Sequence, residues 1–203
     1  FKIIAMLKDS EVIAALIAGI TVFMAEGLKL LYSYLKEKRE TKGELSYFID
    51  NDYEINKKIW VLLNDIHADR VYIGRFHNGG SYYEGMSVKK FTITNEAFSE
   101  NVGQLIMPVF KERLLSEFTN LFKPLVYTGK VEIKSNESEP DRIVQKYLDI
   151  IGGKVCLLYC IRGVNNKTMG YLGIHYNDEI EISDEKKETI LNFAQTLVPF
   201  LTK

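Results

Sequence analysis

Cysteine, proline, histidine and tryptophan are all scarce in this chain of 203 residues, which has two Cys, four Pro, three His and one Trp. So few cysteines exclude a disulfide-built scaffold. Cys156 and Cys160 sit on one apparent strand, facing the same side about 13 Å apart at roughly 3.3 Å per residue, too far for a disulfide. Free thiols fit a reducing compartment, and we expect the cytoplasm. His67, His77 and His175 show no ligand spacing with cysteine or carboxylate, whereas zinc needs three or four converging donors, so no metal site is expected. Lys and Arg number 26 against 27 Asp and Glu, a formal charge of −1. That balance lacks the sustained basic surface of a nucleic-acid binder, and no nucleic-acid partner is expected. Gly-x-Ser-x-Gly, phosphate-loop and His-Glu-x-x-His motifs are all missing. Glu96 and Glu100 read as solvated loop carboxylates rather than an acid–base pair, so neither catalytic residues nor a cofactor are expected. What the chain does have is 46% hydrophobic and 12% aromatic residues. That is enough for a real core, and the length fits one domain with an appendage.

The appendage is the N-terminal stretch. The chain opens at Phe1 without a methionine, and we expect further residues upstream of it. Val12 to Ala25, VIAALIAGITVFMA, carries no charge; Glu26 and Lys29 interrupt before LLYSYL ends at Leu35. Residues 12–35 are long enough for a membrane-spanning helix if Lys29 snorkels and Glu26 pairs with it at i, i+3. A soluble helix buried in an oligomeric bundle is the other reading. Ala14 with Ala18, and Ala15 with Gly19, have the small-xxx-small spacing that lets helices approach closely in either case, and a homo-oligomer is expected. Lys36, Lys38, Arg39 and Lys42 follow the span, so the positive-inside bias puts the larger part in the cytoplasm, below an inner or cytoplasmic membrane. No small-residue cleavage pattern supports a removed signal peptide. We place the division at 1–43, hydrophobic helix and charged connector, and 44–203, the folded domain.

Within that domain Ile55, Ile59, Leu62, Leu63 and Ile66 recur at helical spacing, predicting a helix over 46–66 with one buried face. Arg70–Phe76 reads as a strand broken by His77-Asn78-Gly79-Gly80, because two glycines permit positive φ. A loop over Ser81–Met86 and a second strand, Val88–Thr94, follow. Leu105–Phe122 is expected to be helical, stepped at Pro108 and ended by Lys123-Pro124. A strand over Val126–Ile133 and a helix over Asp141–Ile151, stopped by Gly152-Gly153, come next. Lys154–Arg162 and Thr168–Tyr176 form a hairpin across Gly163–Lys167. Ser183 caps a last helix whose Asp184 and Glu185 suit the helix dipole.

The first hairpin is the candidate site, since so long a connection is where ordered loops carry recognition. Tyr82 and Tyr83 could stack on a planar ligand while Thr92, Thr94 and Asn95 bond its edge. The plainer reading makes them an exposed loop and the polar face of an edge strand. His77 and Asn78 end the first strand, where the imidazole could meet a ligand or simply bond the turn backbone.

Strands and helices in this order make an α+β fold: an antiparallel β-sheet flanked by helices, preceded by the long hydrophobic helix. KVCLLYCIRGVNNKTMGYLGIHY followed by SDEKKETILNFAQTLVPFL resembles the last two core strands and closing helix of a GAF domain, and the helix leading into DRVYIGRF is similar to that family's opening. The HNGG turn followed by TNEA is also similar to uncharacterised phage-encoded membrane proteins with GAF-like domains. The GAF resemblance implies a small-molecule pocket between sheet and helices and dimerisation through the first and last helices. That pocket would be walled by the 77–83 loop, the Phe91–Asn95 strand and the helices between Leu105 and Ile151. The Asn-Lys-x-x-x-Phe-x-x-x-Asp-Glu signature of cyclic-nucleotide-binding members is missing, and no cysteine stands where a bilin would attach. The expected function is therefore a membrane-anchored, non-catalytic sensory or small-ligand-binding homo-oligomer. The alternative is a structural or assembly protein, phage-encoded, that uses a GAF-like scaffold without ligand.

Overall fold

The structure, a computed structural model, describes residues 10–81, 87–100, 102, 106–135, 141–163 and 166–201, without the side chains of 10–12, 15–16 and 36–44. The chain forms two compact units, Phe1–Asp50 and Asn51–Lys203. Helix α1, Ser10–Asp65, supplies the described part of the first unit and the opening of the second. The expected connector is itself helical, since Gly43 is the one weak helix former among Lys, Arg, Glu and Thr.

In the first unit Ile17, Phe23, Leu28 and Tyr32 are exposed, Phe23 by 81%. Glu26 and Lys29 form the expected i, i+3 pair at 3.9 Å. The expected membrane span over 12–35 finds no support: among the described residues no helix is long and apolar enough to cross a membrane. Glu26, Lys29, Ser33 and two tyrosines dilute the described run, and Val12, Ala15 and Leu16 lie outside the described side chains.

In the second unit the sheet has six antiparallel strands in the order β3-β2-β1-β6-β5-β4. They are β1 (Arg70–Ser81), β2 (Ser87–Phe98), β3 (Arg113–Leu114), β4 (Lys130–Lys134), β5 (Val155–Arg162) and β6 (Thr168–Tyr176). Strand alternation divides the core in two. Val71, Ile73, Leu157, Tyr159, Leu172 and Ile174 pack on one face against the predicted stripe of α1 and against Ile190 and Ala194 of α4, Asp184–Thr196. Tyr72, Cys156, Leu158, Cys160 and Tyr171 point to the other face, under α2 (Thr119–Thr128) and α3 (Arg142–Ile151). Each fully buried Leu, Ile or Phe contributes roughly 1.5–3 kcal/mol, which makes both layers necessary. A short helix α5, Val198–Leu201, follows α4.

Several local signals act as read. Ser183 accepts from the Lys186 amide at 3.3 Å. Asp141 caps α3 by accepting from Ile143 and Val144. Gly152 and Gly129 close α3 and α2 with φ of 74° and 86°, where any side chain would be strained. The β5–β6 hairpin pairs Val155 with Tyr176 and Arg162 with Thr168.

The middle of the chain departs from expectation. Residues 106–112 form turns, Leu115–Phe118 is a single 3-10 turn, and α2 begins only at Thr119. It then runs through Pro124, which lacks one amide, because Leu121, Phe122 and Leu125 are buried on its inner face and that packing outweighs the lost bond. β4 is correspondingly shorter at its start. The His77–Gly80 run does not break β1: the strand continues to Ser81 across an irregularity between Asn78 and Ser81, with Gly80 at φ 106°.

Candidate functional site

The layer between the sheet and α2/α3, where the resemblance implied a pocket, is filled by aromatic rings. Phe91 lies 4.8 Å from Phe122 and 5.5 Å from Phe118, centroid to centroid. Phe110 and Tyr147 meet at 5.2 Å. At the bottom the Tyr72 hydroxyl hydrogen-bonds that of Tyr147 at 2.8 Å and lies 3.4 Å from the Cys156 sulfur. Burial raises both phenols well above the ordinary tyrosine range and pushes the Cys156 thiol up to about 12. These groups are neutral hydrogen-bonding partners, and Cys156 is no nucleophile.

Open space begins where this cluster ends. A groove of about 580 Å³, within the range of small-molecule sites, runs between the far end of the β1–β2 hairpin and α2. The strand wall is Phe76, Asn78 and Lys89, with Thr168 of β6 at one end. The helix wall is Thr119, Phe122, Lys123, Val126 and Tyr127, spaced so that one stripe of α2 faces it, with Leu115 and Ser116 before them. Phe76 stands edge-on to Phe122 at 5.4 Å and 87°, giving a fixed apolar floor.

The expected site residues divide. Asn78 lines the groove and accepts from Lys89 Nζ at 2.7 Å. His77 borders it, but its ring is engaged elsewhere: Nε2 lies 2.9 Å from Thr92 Oγ1 and Nδ1 3.3 Å from the Asn78 carbonyl. A carbonyl only accepts, so Nδ1 carries the proton and Nε2 accepts from the Thr92 hydroxyl, whose oxygen in turn accepts from the Glu112 amide at 2.9 Å. Phe91 is fully buried beneath the floor. Tyr82 and Tyr83 lie outside the described residues.

Thr94 and Asn95 do not join the groove. Ile73 pairs with Asn95 but Gly74 pairs with Ile93, so Thr94 is an extra residue in β2. Such a bulge reverses the alternation. Phe91 and Ile93 face α2, whereas Asn95, only 3% exposed, donates to Asn56 of α1 at 3.1 Å. Glu96 is returned to the α2/α3 side, where it is no solvated carboxylate. Its side chain is 0% exposed, is paired with Arg70, and accepts the Ile106 and Met107 amides at 3.1 Å.

A helix wall between Leu105 and Ile151 agrees with the resemblance, but its residues 119, 123, 126 and 127 do not follow from a helix ending at Lys123-Pro124; their shared helical spacing is the one signal that could show them. Among the described residues no group of three His, Cys, Asp or Glu could hold a metal ion.

The chain matches no protein-family model and no curated protein. Among solved structures it is similar to the PixJ GAF domain of Thermosynechococcus elongatus, with 14% identity and a TM-score of 0.59 over 77% of this chain and 88% of that one. It is also similar to the phycocyanobilin-bound GAF domain of a cyanobacterial phytochrome, with 16% identity and a TM-score of 0.58 over 79% and 89%. The phycoerythrobilin-bound GAF domain of a cyanobacterial phytochrome gives 18% identity and a TM-score of 0.53 over 80% and 91%. At these identities the likeness establishes the fold: this chain carries a GAF fold. The expected likeness to phage-encoded membrane proteins finds no support.

Proposed function

We propose that this chain is a non-catalytic sensory or small-ligand-binding GAF-like protein that takes its ligand in the groove between the β1–β2 hairpin and α2. The groove itself carries the reading, with a fixed aromatic floor, polar groups at its rim and a volume suited to a metabolite. The bilins bound to two of the similar GAF domains agree with small-molecule binding on this fold. A signal would leave through the back of the same hairpin. Arg75 of β1 donates to Asp52 of α1 at 3.0 Å, and Asn95 of β2 donates to Asn56. A ligand that draws the hairpin toward α2 loads those contacts and biases the packing of α1; such coupling requires two arrangements of the helix. The chain works as a homo-oligomer in the cytoplasm, a reading supported by the exposed apolar side chains around the first part of α1 and by two free thiols.

One observation favours a second reading, a scaffold that assembles without ligand: the interior layer is closed by its own aromatic rings. Native mass spectrometry of the full chain as purified separates the two. A bound small molecule lost on Thr119→Trp, which fills the groove, supports sensing. A ligand-free oligomer that binds nothing from a metabolite library overturns it in favour of assembly.

A further inference from the structure

We infer that the groove selects an amphipathic organic anion, an apolar body carrying one acidic group held between Lys89 and Lys123; this rests on the groove being the binding site. The floor and part of the helix wall are apolar. Phe76 and Phe122 meet edge to face, and Val126 and Tyr127 stand 39% and 80% exposed where an apolar body would cover them. Among the described residues the rim has a single charge sign: Lys89 comes from the strand wall and Lys123 from the helix wall, and no Asp or Glu is among the described lining residues.

Several cations of the same unit carry an acidic partner. Arg75 is paired with Asp52, Lys90 with Glu112, Arg113 with Glu117, and Lys134 and Lys187 share Glu132. Lys89 instead donates to the neutral Asn78 amide, and Lys123 has no carboxylate partner among the described residues. Two unneutralised cations on facing walls, above an apolar floor that displaces water, favour an anion bound between them. A neutral ligand of the same shape would leave both charges uncompensated as it covered them, and that difference is the basis of selection. Asn78, Thr119 and Thr168 supply neutral hydrogen-bonding groups alongside.

A matched pair of probes tests this on the full chain: 8-anilinonaphthalene-1-sulfonate, and N-phenyl-1-naphthylamine, which lacks the sulfonate. Binding is read from backbone amide shifts of residues 116–127, so that dye on the apolar part of α1 does not count. The expected result is that the sulfonate binds about tenfold or more tighter than the neutral amine, and that each of Lys89→Gln and Lys123→Gln weakens only the sulfonate, by about fivefold. Equal binding of both probes, unchanged in the double variant, overturns the anion inference and leaves the groove as a binding site. No shift at 116–127 with either probe removes the groove and this inference together. A preserved amide spectrum in the lysine variants keeps misfolding out of the comparison.

Discussion

Tyr171 of β6 lies flat across Gly74, its partner on β1, so closely that a Cβ on Gly74 would stand 2.2 Å from the ring. The arrangement repeats two pairs along the ladder, on the same face, where Tyr72 covers Gly173. Each glycine leaves room for a ring that belongs to the neighbouring strand. The two tyrosines then meet edge to face at 6.3 Å and floor the aromatic layer.

Gly74→Ala therefore displaces a buried ring rather than filling space. We expect a loss of about 1–3 kcal/mol in chemical denaturation, and partial recovery when Tyr171→Leu is added, because the two positions share one volume. A single variant as stable as the parent would remove this account of the ladder.

Glu96 and Arg70 form a buried ion pair whose carboxylate also holds the 106–107 backbone. Glu96→Ala removes the carboxylate from a buried guanidinium, a loss of about 3–5 kcal/mol. The Ile106 and Met107 amides should also exchange with solvent much faster. Replacing both partners, as Arg70→Met with Glu96→Leu, should cost less than Glu96→Ala alone; a larger loss would mean that the pair is not the cause.

His175 is fully buried, with its Nε2 on the Asn177 side-chain carbonyl at 3.0 Å. Burial, and then the charge of Arg70, lower its pKa from the ordinary 6.5 to about 4, against weaker opposing pulls from the Asn177 hydrogen bond and then from Asp69. Above pH 6.5 the ring is neutral folded or unfolded, and it contributes no pH dependence. Between pH 6.5 and 4 the unfolded chain takes up a proton that the fold refuses, so stability falls with acid by ~3 kcal/mol in all. The His175 ring signal should stay neutral down to pH 5 by NMR, and His175→Gln should flatten this part of the stability curve. A ring that titrates near 6.5 would overturn the assignment.

Cys156, held neutral up to about pH 12 under Tyr72, should resist a thiol reagent at pH 8 in the folded chain and react promptly in denaturant. Rapid native labelling at this residue would show that the aromatic layer opens.

The candidate site was legible only in part. Asn78 was found because a polar residue at a glycine-rich strand end is a local pattern. His77 was singled out by the same pattern, but its ring is claimed by Thr92, a partner across the ladder. Asn95 was misplaced by one residue: Thr94 is extra, and nothing in ITNEA says so, because a bulge is defined by the strand opposite. Lys123 and Val126 were hidden behind a proline that local rules treat as a stop.

What the chain determines by itself is whatever depends on near neighbours in sequence. The apolar stripe from Ile55 to Ile66, the alternation along β5 and β6, the hairpin between them and the caps at Asp141 and Ser183 all follow from periods of 3.6 or 2 and from single backbone bonds. Only the tertiary structure decided that α2 runs through Pro124, that Glu96 goes inside to meet Arg70, and that aromatic rings close the interior and leave a groove at its edge. In each case a local preference worth a few kcal/mol at most was outweighed by burial against residues distant in the chain, and that burial exists only once the sheet has formed.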